Sequence, residues 1–176
     1  MRLARIVLGI AVLGVFLAAS LPSRDAEAKF VVGGYARIVK CVENCQEGSL
    51  FTFGGELGGG FSALGIRYGF KDDVHHLIPD LRFFYDFGLP FNLEVTPMLE
   101  FSPALAFHPG DAKSIELVLR PGVRVGWSPV SFVAIFVEPI LWDISVWSKT
   151  WGSGFSRTST TVAQRYNFGF GAQFRF

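Results

Sequence analysis

The sequence predicts an all-β fold, an eight-stranded antiparallel up-and-down transmembrane β-barrel preceded by a cleaved signal peptide. Three observations lead to this prediction: apolar and polar residues alternate after residue 28, short and long connections alternate, and the chain opens on a short apolar run. The composition agrees, because 50% of the 176 residues are hydrophobic and 18% are charged, below the roughly 25% of an ordinary soluble domain.

The first 28 residues have the three parts of a secretory signal peptide. A basic N-terminal segment is followed by the apolar run Ile6–Ala19. The 28-residue segment ends in Ala26-Glu27-Ala28, which has small residues at the two positions that signal peptidase recognises. The apolar run is too short to cross a bilayer as a helix. We therefore expect a signal peptide at 1–28, a barrel at 29–176, and export from the cytoplasm.

Eight segments of the mature chain alternate as strands with one apolar face do. Between Phe91 and Phe107 the odd positions are apolar or proline, whereas Glu94 and Glu100 lie at even positions. The predicted strands are 30–40, 49–58, 61–70, 79–88, 91–106, 114–127, 131–148 and 162–176.

The connections between these segments alternate in length. Those at 58–60, 89–90 and 128–130 are short and contain glycine or proline. The longer and more polar connections are 41–48, 71–78, 107–113 and 149–161. Short turns at one end and long loops at the other are typical of barrels that span an outer membrane, where an even strand number is the rule.

The orientation of the two faces separates a membrane barrel from a soluble ligand carrier, which would turn its apolar face inward. Here the apolar face is bulky and continuous, as lipid tails require, and the polar face is rich in glycine, as a narrow lumen requires. We therefore expect an integral protein of the bacterial outer membrane with a charged interior.

The last predicted strand resembles the C-terminal signature of bacterial outer-membrane proteins that the barrel-assembly machinery recognises. Its alternating aromatic residues are Tyr166, Phe168, Phe170, Phe174 and Phe176. Together with the signal peptide and the eight strands, the mature chain resembles the small outer-membrane barrels of the OmpA-transmembrane and OmpX-like class. This resemblance implies that the barrel-assembly machinery inserts the protein and that outer-membrane lipid and lipopolysaccharide surround the inserted barrel.

The charges on the polar face are balanced, and every base among them is arginine, whose planar fork suits buried carboxylates. We expect a charge network in the lumen formed by Arg37, Glu56, Arg67, Asp80, Arg82, Asp86, Glu94, Glu100, Glu116, Arg120, Arg124, Glu138, Arg165 and Arg175. If strands pair symmetrically across the 107–113 loop and the 128–130 turn, Glu100 and Glu138 both lie opposite Arg120. We therefore expect a Glu100–Arg120–Glu138 group in the middle of the barrel. Because side chains can fill an eight-stranded barrel, we expect a plug and not a passive pore.

The predicted strand 131–148 is irregular. Its alternation slips after Leu141, and Asp143 and Ser145 face inward only if a β-bulge lies near Trp142. In addition, prolines lie inside several predicted strands, where each removes a hydrogen-bond donor from the ladder.

Two of the predicted long loops contain residues that could form a disulfide or bind a metal ion. Cys41 and Cys45 flank three residues of the first long loop, and an oxidising compartment favours a disulfide between them, with a reactive pair as the alternative.

In the second long loop, imidazole and carboxylate groups suitable for a divalent cation lie together: Asp72, Asp73, His75 and His76. They are weak candidates, because their spacing matches no established metal motif. We expect neither a bound metal nor a cofactor.

The sequence favours a non-enzymatic barrel with a structural or surface role, such as envelope integrity, adhesion or recognition through the outer loops. An enzyme that modifies lipid A or phospholipid is the first alternative; it needs a nucleophile beside a base, and no histidine lies in a predicted strand. A small-solute channel and a soluble ligand carrier are the others. The net charge of +1 and the lack of a basic patch argue against nucleic acid as a partner.

Overall fold

The structure, a computed structural model, describes residues 30–44, 49–152, 154–160 and 162–176. The predicted signal peptide at 1–28 and Cys45 lie outside the described residues. Within these ranges no helix is long and apolar enough to cross a membrane.

The described residues form ten strands. They are β1 (Phe30–Glu43), β2 (Leu50–Gly59), β3 (Ser62–Lys71), β4 (Val74–Phe84), β5 (Phe87–Leu89), β6 (Leu93–Phe107), β7 (Lys113–Val130), β8 (Val133–Gly152), β9 (Phe155–Ser159) and β10 (Ala163–Arg175). Eight of them form the barrel wall, in which each strand pairs antiparallel with the next and β10 closes the ring by pairing with β1. The short β5 and β9 pair antiparallel with β6 and β8. The predicted closed, eight-stranded antiparallel barrel is therefore confirmed.

Alternation along each strand separates the interior from the exterior. On β1, Tyr35, Arg37 and Val39 are buried, whereas Val32 and Ile38 are 42% and 40% exposed. The other strands repeat this arrangement, so that most buried charges face the lumen and the large exposed side chains are apolar or aromatic. The interior of this barrel is therefore more polar than its outer surface.

The connection between β3 and β4 is a tight turn, and the predicted long loop at 71–78 is wrong. Asp72 and Asp73 have φ angles of 49° and 61°, and Lys71 pairs with Val74 across them. A two-residue hairpin turn needs positive φ at both central positions, which aspartate tolerates better than most residues. As a consequence, β4 begins five positions earlier than predicted, and its first residues include His75 and His76.

The predicted short turn at 89–90 is wrong in the opposite sense, and the predicted short turn at 128–130 lies too early in the chain. After β4 the chain forms β5 and a 3-10 helix over Pro90–Asn92, with positive φ at Phe91 and Asn92, before β6 begins. Further on, β7 continues to Val130, so residues 128–130 belong to a strand and the turn follows them. Asp86 consequently lies outside the strands.

One irregularity in β8 is a bulge at Pro139 and Ile140, two to three residues before the predicted position near Trp142. The pairing of β8 with β7 contains a further shift at Val146. On β10, Asn167 pairs with Leu141 and Gly169 pairs with Glu138, so one position of β10 faces two of β8. A bulge suits proline, which has no N–H for the ladder.

This bulge changes which residues of β8 face inward. Before it, Phe136 and Glu138 are buried; after it, Leu141, Asp143 and Ser145 are buried. It therefore brings a further carboxylate, that of Asp143, into the interior.

Candidate functional site

The centre of the lumen is organised around Glu100 on β6, which accepts hydrogen bonds from three arginines on three other strands. Arg37 donates from Nη1 and Nη2 at 2.8 and 2.6 Å, Arg82 from Nε at 2.7 Å, and Arg120 from Nη1 at 2.5 Å. The Glu100 side chain is 0% exposed. A buried carboxylate is stable only when it is paired and hydrogen-bonded in this way.

Two further carboxylates lie towards the turn end of the barrel. Glu138 accepts from Arg37 Nε at 2.6 Å and from Arg124 Nη2 at 2.9 Å. Glu56 accepts from Arg124 Nη1 at 3.0 Å and from Arg82. Because each arginine binds two carboxylates, the groups form one continuous network.

The predicted Glu100–Arg120–Glu138 group forms only in part. Arg120 pairs with Glu100 across β6 and β7 as expected, but its Nη2 binds Asp143 at 3.1 Å and its Nε binds the same carboxylate. The bulge in β8 explains the difference, because it turns Asp143 inward beside Arg120. Glu138, on the other side of the bulge, binds Arg37 instead.

Asp80 on β4 holds another part of the interior. Arg67 donates to it from Nε and Nη2, both at 2.7 Å, and Tyr35 donates from its hydroxyl at 3.0 Å. All of these side chains are buried. The Arg67–Asp80 pair is therefore a bidentate contact, the most directional kind of ion pair.

Ion pairs near the two ends of the barrel are more accessible than those in the centre. Arg165 binds Glu116 through two bonds of 2.9 and 3.0 Å, and each side chain is 21% exposed. Arg175 binds Glu94 through two bonds of 2.5 Å. Asp86, the remaining residue of the predicted network, is exposed and accepts a hydrogen bond from Thr96 at 2.6 Å.

Glycines on the inner face give the arginines their space. A Cβ on Gly169 would lie 2.5 Å from Glu138 Oε2 and 3.0 Å from Arg37 Cγ. A Cβ on Gly54 would lie 2.7 Å from Arg67 Cγ and 2.2 Å from the Ile66 carbonyl oxygen. The abundance of glycine on the polar face thus has a steric reason.

The charge network lies between two cavities. The cavity towards the turn end holds about 20 Å³, roughly one water molecule, and is lined by Glu56, Arg124 and Gln173 among others. The cavity at the loop end, which we call the vestibule, holds about 370 Å³. Its charged lining residues are Arg67, Glu116, Arg120, Asp143, Arg157 and Arg165.

The histidines of the candidate cation site point to opposite faces of β4. His75 is exposed on the outside, where its Nδ1 lies 2.6 Å from the Tyr68 hydroxyl, whereas His76 is buried and lines the vestibule. Adjacent residues of a strand diverge in this way. Within the described ranges no group of three or more histidine, cysteine or acidic side chains is placed to hold a metal ion.

One histidine lies beside a hydroxyl group in the vestibule. His108, in the connection after β6, has its Nε2 3.0 Å from the Oγ of Ser114 on β7, and both residues line the cavity. The sequence pattern did not reveal this pair, because six positions and a turn separate the two residues. Cys41 is near the loop end of β1, and because Cys45 is not described, their disulfide stays a prediction.

The aromatic residues of the predicted assembly signature lie along the seam that closes the barrel. Phe168, Phe170, Phe174 and Phe176 point outward and are 40–75% exposed, while the Tyr166 hydroxyl donates to the carbonyl of Pro139. The backbone of Phe176 exchanges hydrogen bonds of 2.9 and 3.1 Å with that of Phe30.

Solved structures that are similar to this chain include Neisserial surface protein A, NspA (17% identity, 84% of this chain and 97% of that one, TM-score 0.49). They also include the N-terminal β-barrel domain of Pseudomonas aeruginosa OprF (15%, 83% and 97%, 0.46) and a major outer membrane protein from Thermus thermophilus (16%, 85% and 100%, 0.48). No protein-family model and no curated protein matches the chain. At these identities the likeness concerns the fold alone, a small eight-stranded barrel.

Proposed function

We propose that this chain is a non-enzymatic integral protein of the bacterial outer membrane, whose barrel is closed by charged side chains and whose specificity lies at the loop end. The observation that carries the proposal is the inverted polarity of the barrel. Arg37 and Glu100 are 0% exposed in the lumen, whereas Phe53, Leu57 and Leu64 on the outside are 55%, 55% and 59% exposed.

An outer surface with so many exposed apolar side chains is stable only in contact with an apolar environment. Soluble monomers rarely expose continuous apolar patches above a few hundred Å². The outward residues of all eight barrel strands include large apolar side chains, which matches the lipid-facing band of an outer-membrane barrel. A soluble carrier would instead line its lumen with these residues, so the soluble alternative fits poorly.

The proposal assigns partners to different parts of the chain. Outer-membrane lipid and lipopolysaccharide surround the apolar band, the signal peptide directs export, and the assembly machinery recognises the aromatic residues of β10. The loop end supplies the surface for adhesion, recognition or envelope integrity. Its most prominent element is the hairpin of β8 and β9, which extends beyond the last pair between β8 and β10, Ser145 with Ala163.

A closed lumen makes a direct prediction about conduction. We expect no steady single-channel conductance when the purified protein is inserted into planar bilayers, because the central arginines and carboxylates are at most a few per cent exposed. A shift between heated and unheated samples on a gel serves as the control for a folded barrel. Steady conductance from a sample that shows this shift would assign the protein to the small-solute channels instead.

A lipid-modifying enzyme is the second candidate, and the contact between Ser114 and His108 favours it. A hydroxyl that lies 3.0 Å from an imidazole nitrogen has the geometry of a nucleophile and its general base. The pair lines the vestibule and not the lipid-facing surface. Acyl chains would therefore have to enter the vestibule to react.

The enzyme hypothesis is tested by loss of acyl chains from lipopolysaccharide, measured by mass spectrometry. An enzyme predicts deacylation that Ser114→Ala abolishes and that Ser148→Ala, a matched change elsewhere in the vestibule, leaves in place. We expect no deacylation by the unmodified protein. Deacylation that depends on Ser114 would replace the non-enzymatic proposal.

A further inference from the structure

Arg67 is buried, yet part of its guanidinium group has no hydrogen-bond partner. Nε and Nη2 bind Asp80, but Nη1 has no partner within the described part of the chain. The residue is 1% exposed and lines the vestibule. An unsatisfied donor on a buried charged group is costly, so an acceptor that reached Nη1 from the cavity would form a strong hydrogen bond with it.

The charges and hydroxyls of the vestibule favour an anionic acceptor. Four arginines and two acidic residues line it. Arg120 and Arg165 are paired with Asp143 and Glu116. The donors that these pairs leave for a ligand are Nη1 of Arg67 and the guanidinium group of the exposed Arg157. The wall also carries hydroxyl groups that can donate hydrogen bonds: Ser114, Ser145, Ser148, Thr150 and Ser159. A tetrahedral oxyanion, with several acceptor oxygens and a negative charge, suits such converging donors.

The size and position of the vestibule limit the ligand further. A volume of about 370 Å³ is at the lower end of the range for small-molecule sites, roughly 300–1,000 Å³. Arg157, which lines the cavity from β9, is exposed and therefore accessible from outside. A ligand of one sugar-sized unit with one anionic group fits these limits.

We propose that the vestibule is a binding site for a phosphate group, carried by a small phosphate monoester or a lipid headgroup, in which Arg67 Nη1 is the innermost donor. Arg67 thereby has two roles: two of its nitrogens hold Asp80 and the third binds the ligand. This inference goes beyond the proposed surface role, and it can succeed or fail whether or not the lumen conducts ions.

Titration calorimetry with inorganic phosphate, on the folded protein in zwitterionic detergent at low salt, tests the proposal. We expect saturable binding with one site. Arg67→Gln is expected to weaken it by about tenfold or more, the typical effect of losing a hydrogen bond to a charged group. Arg157→Gln is expected to weaken it less, and because this residue is exposed on a short hairpin, that variant tests the site without disturbing the lumen.

Lys149→Gln is the matched control, because it removes one positive charge from an exposed position at the same end of the barrel outside the vestibule lining. Its affinity for phosphate is expected to stay within about twofold of the unmodified protein, since salt screens exposed charges. No binding to the unmodified protein would overturn the proposal. It would also fail if both arginine variants, shown to be folded by the gel shift, bound phosphate as tightly as the control.

Two further arms distinguish the source of the phosphate group. Tighter binding of glucose 6-phosphate than of inorganic phosphate, with no binding of glucose, supports a soluble phosphate monoester. If a lipid headgroup occupies the vestibule, nanodiscs that contain phosphatidic acid should weaken the binding of added phosphate relative to nanodiscs of phosphatidylcholine alone. Either result supports the site.

Discussion

Replacement of Glu100 by glutamine is expected to destabilise the barrel by about 3–5 kcal/mol, the usual result of removing one partner from a buried ion pair. Glutamine has nearly the same shape, so the change tests charge and not packing. Three guanidinium groups donate to this carboxylate, and all would face a neutral amide that also places an NH2 group among them. The free energy of unfolding, measured with urea in lipid vesicles, is the quantity to compare.

Glu116→Gln is the matched control for this experiment, because it makes the same chemical change in an ion pair that is 21% exposed. Partly hydrated pairs of this kind contribute about 0–1 kcal/mol, so the control should unfold almost as the unmodified barrel does. Equal effects of the two substitutions would mean that water fills the centre of the lumen. The proposal that side chains close the lumen would then be wrong.

Substitution of Ile66 by arginine is expected to destabilise the inserted barrel by about 2–4 kcal/mol, the range found for arginine in the middle of the lipid-facing surface. Ile66 lies near the middle of β3, points outward and is 53% exposed. The charge would face hydrocarbon, where no partner is available. Urea unfolding in vesicles and the folded fraction on a gel both report the effect.

Phe155→Arg is the comparison for the lipid-facing variant. Phe155 is 51% exposed, but it lies on β9, in the hairpin beyond the barrel wall. Near or outside the interface, an arginine is expected to change stability by about 0–1 kcal/mol. Similar small effects at both positions would show that the apolar band does not face hydrocarbon, and a soluble barrel would become the better description.

The sequence was sufficient to predict the strands and their faces because alternation is a local signal. It misplaced the start of β4, since Asp72-Asp73 sits in a polar stretch where a tight turn and a long loop look alike. The bulge at Pro139 and Ile140 was visible as a slip in alternation, but its position depends on pairing with β10.

The choice of ion-pair partners in the lumen was beyond prediction from sequence. Arg37 on β1 binds Glu138 on β8, which is 101 residues away and not on a neighbouring strand. Such contacts cross the barrel, so they depend on the stagger of the strands, on the bulge and on side-chain rotamers. None of these can be obtained from the pattern of any one segment. For the same reason, Asp143 was only a conditional candidate.

The wide sequence separation of the central ion pairs has a consequence for the order of assembly. Arg37 binds Glu100 and Glu138 across 63 and 101 residues, so these pairs cannot form in a nascent hairpin or a half-built sheet. Until β10 pairs with β1, the charges of the inner face lack their final partners. A partly formed, open sheet is therefore expected to be much less stable than the closed barrel. We therefore expect closure to be a highly cooperative late event with a high contact order, and folding to be slow without assistance.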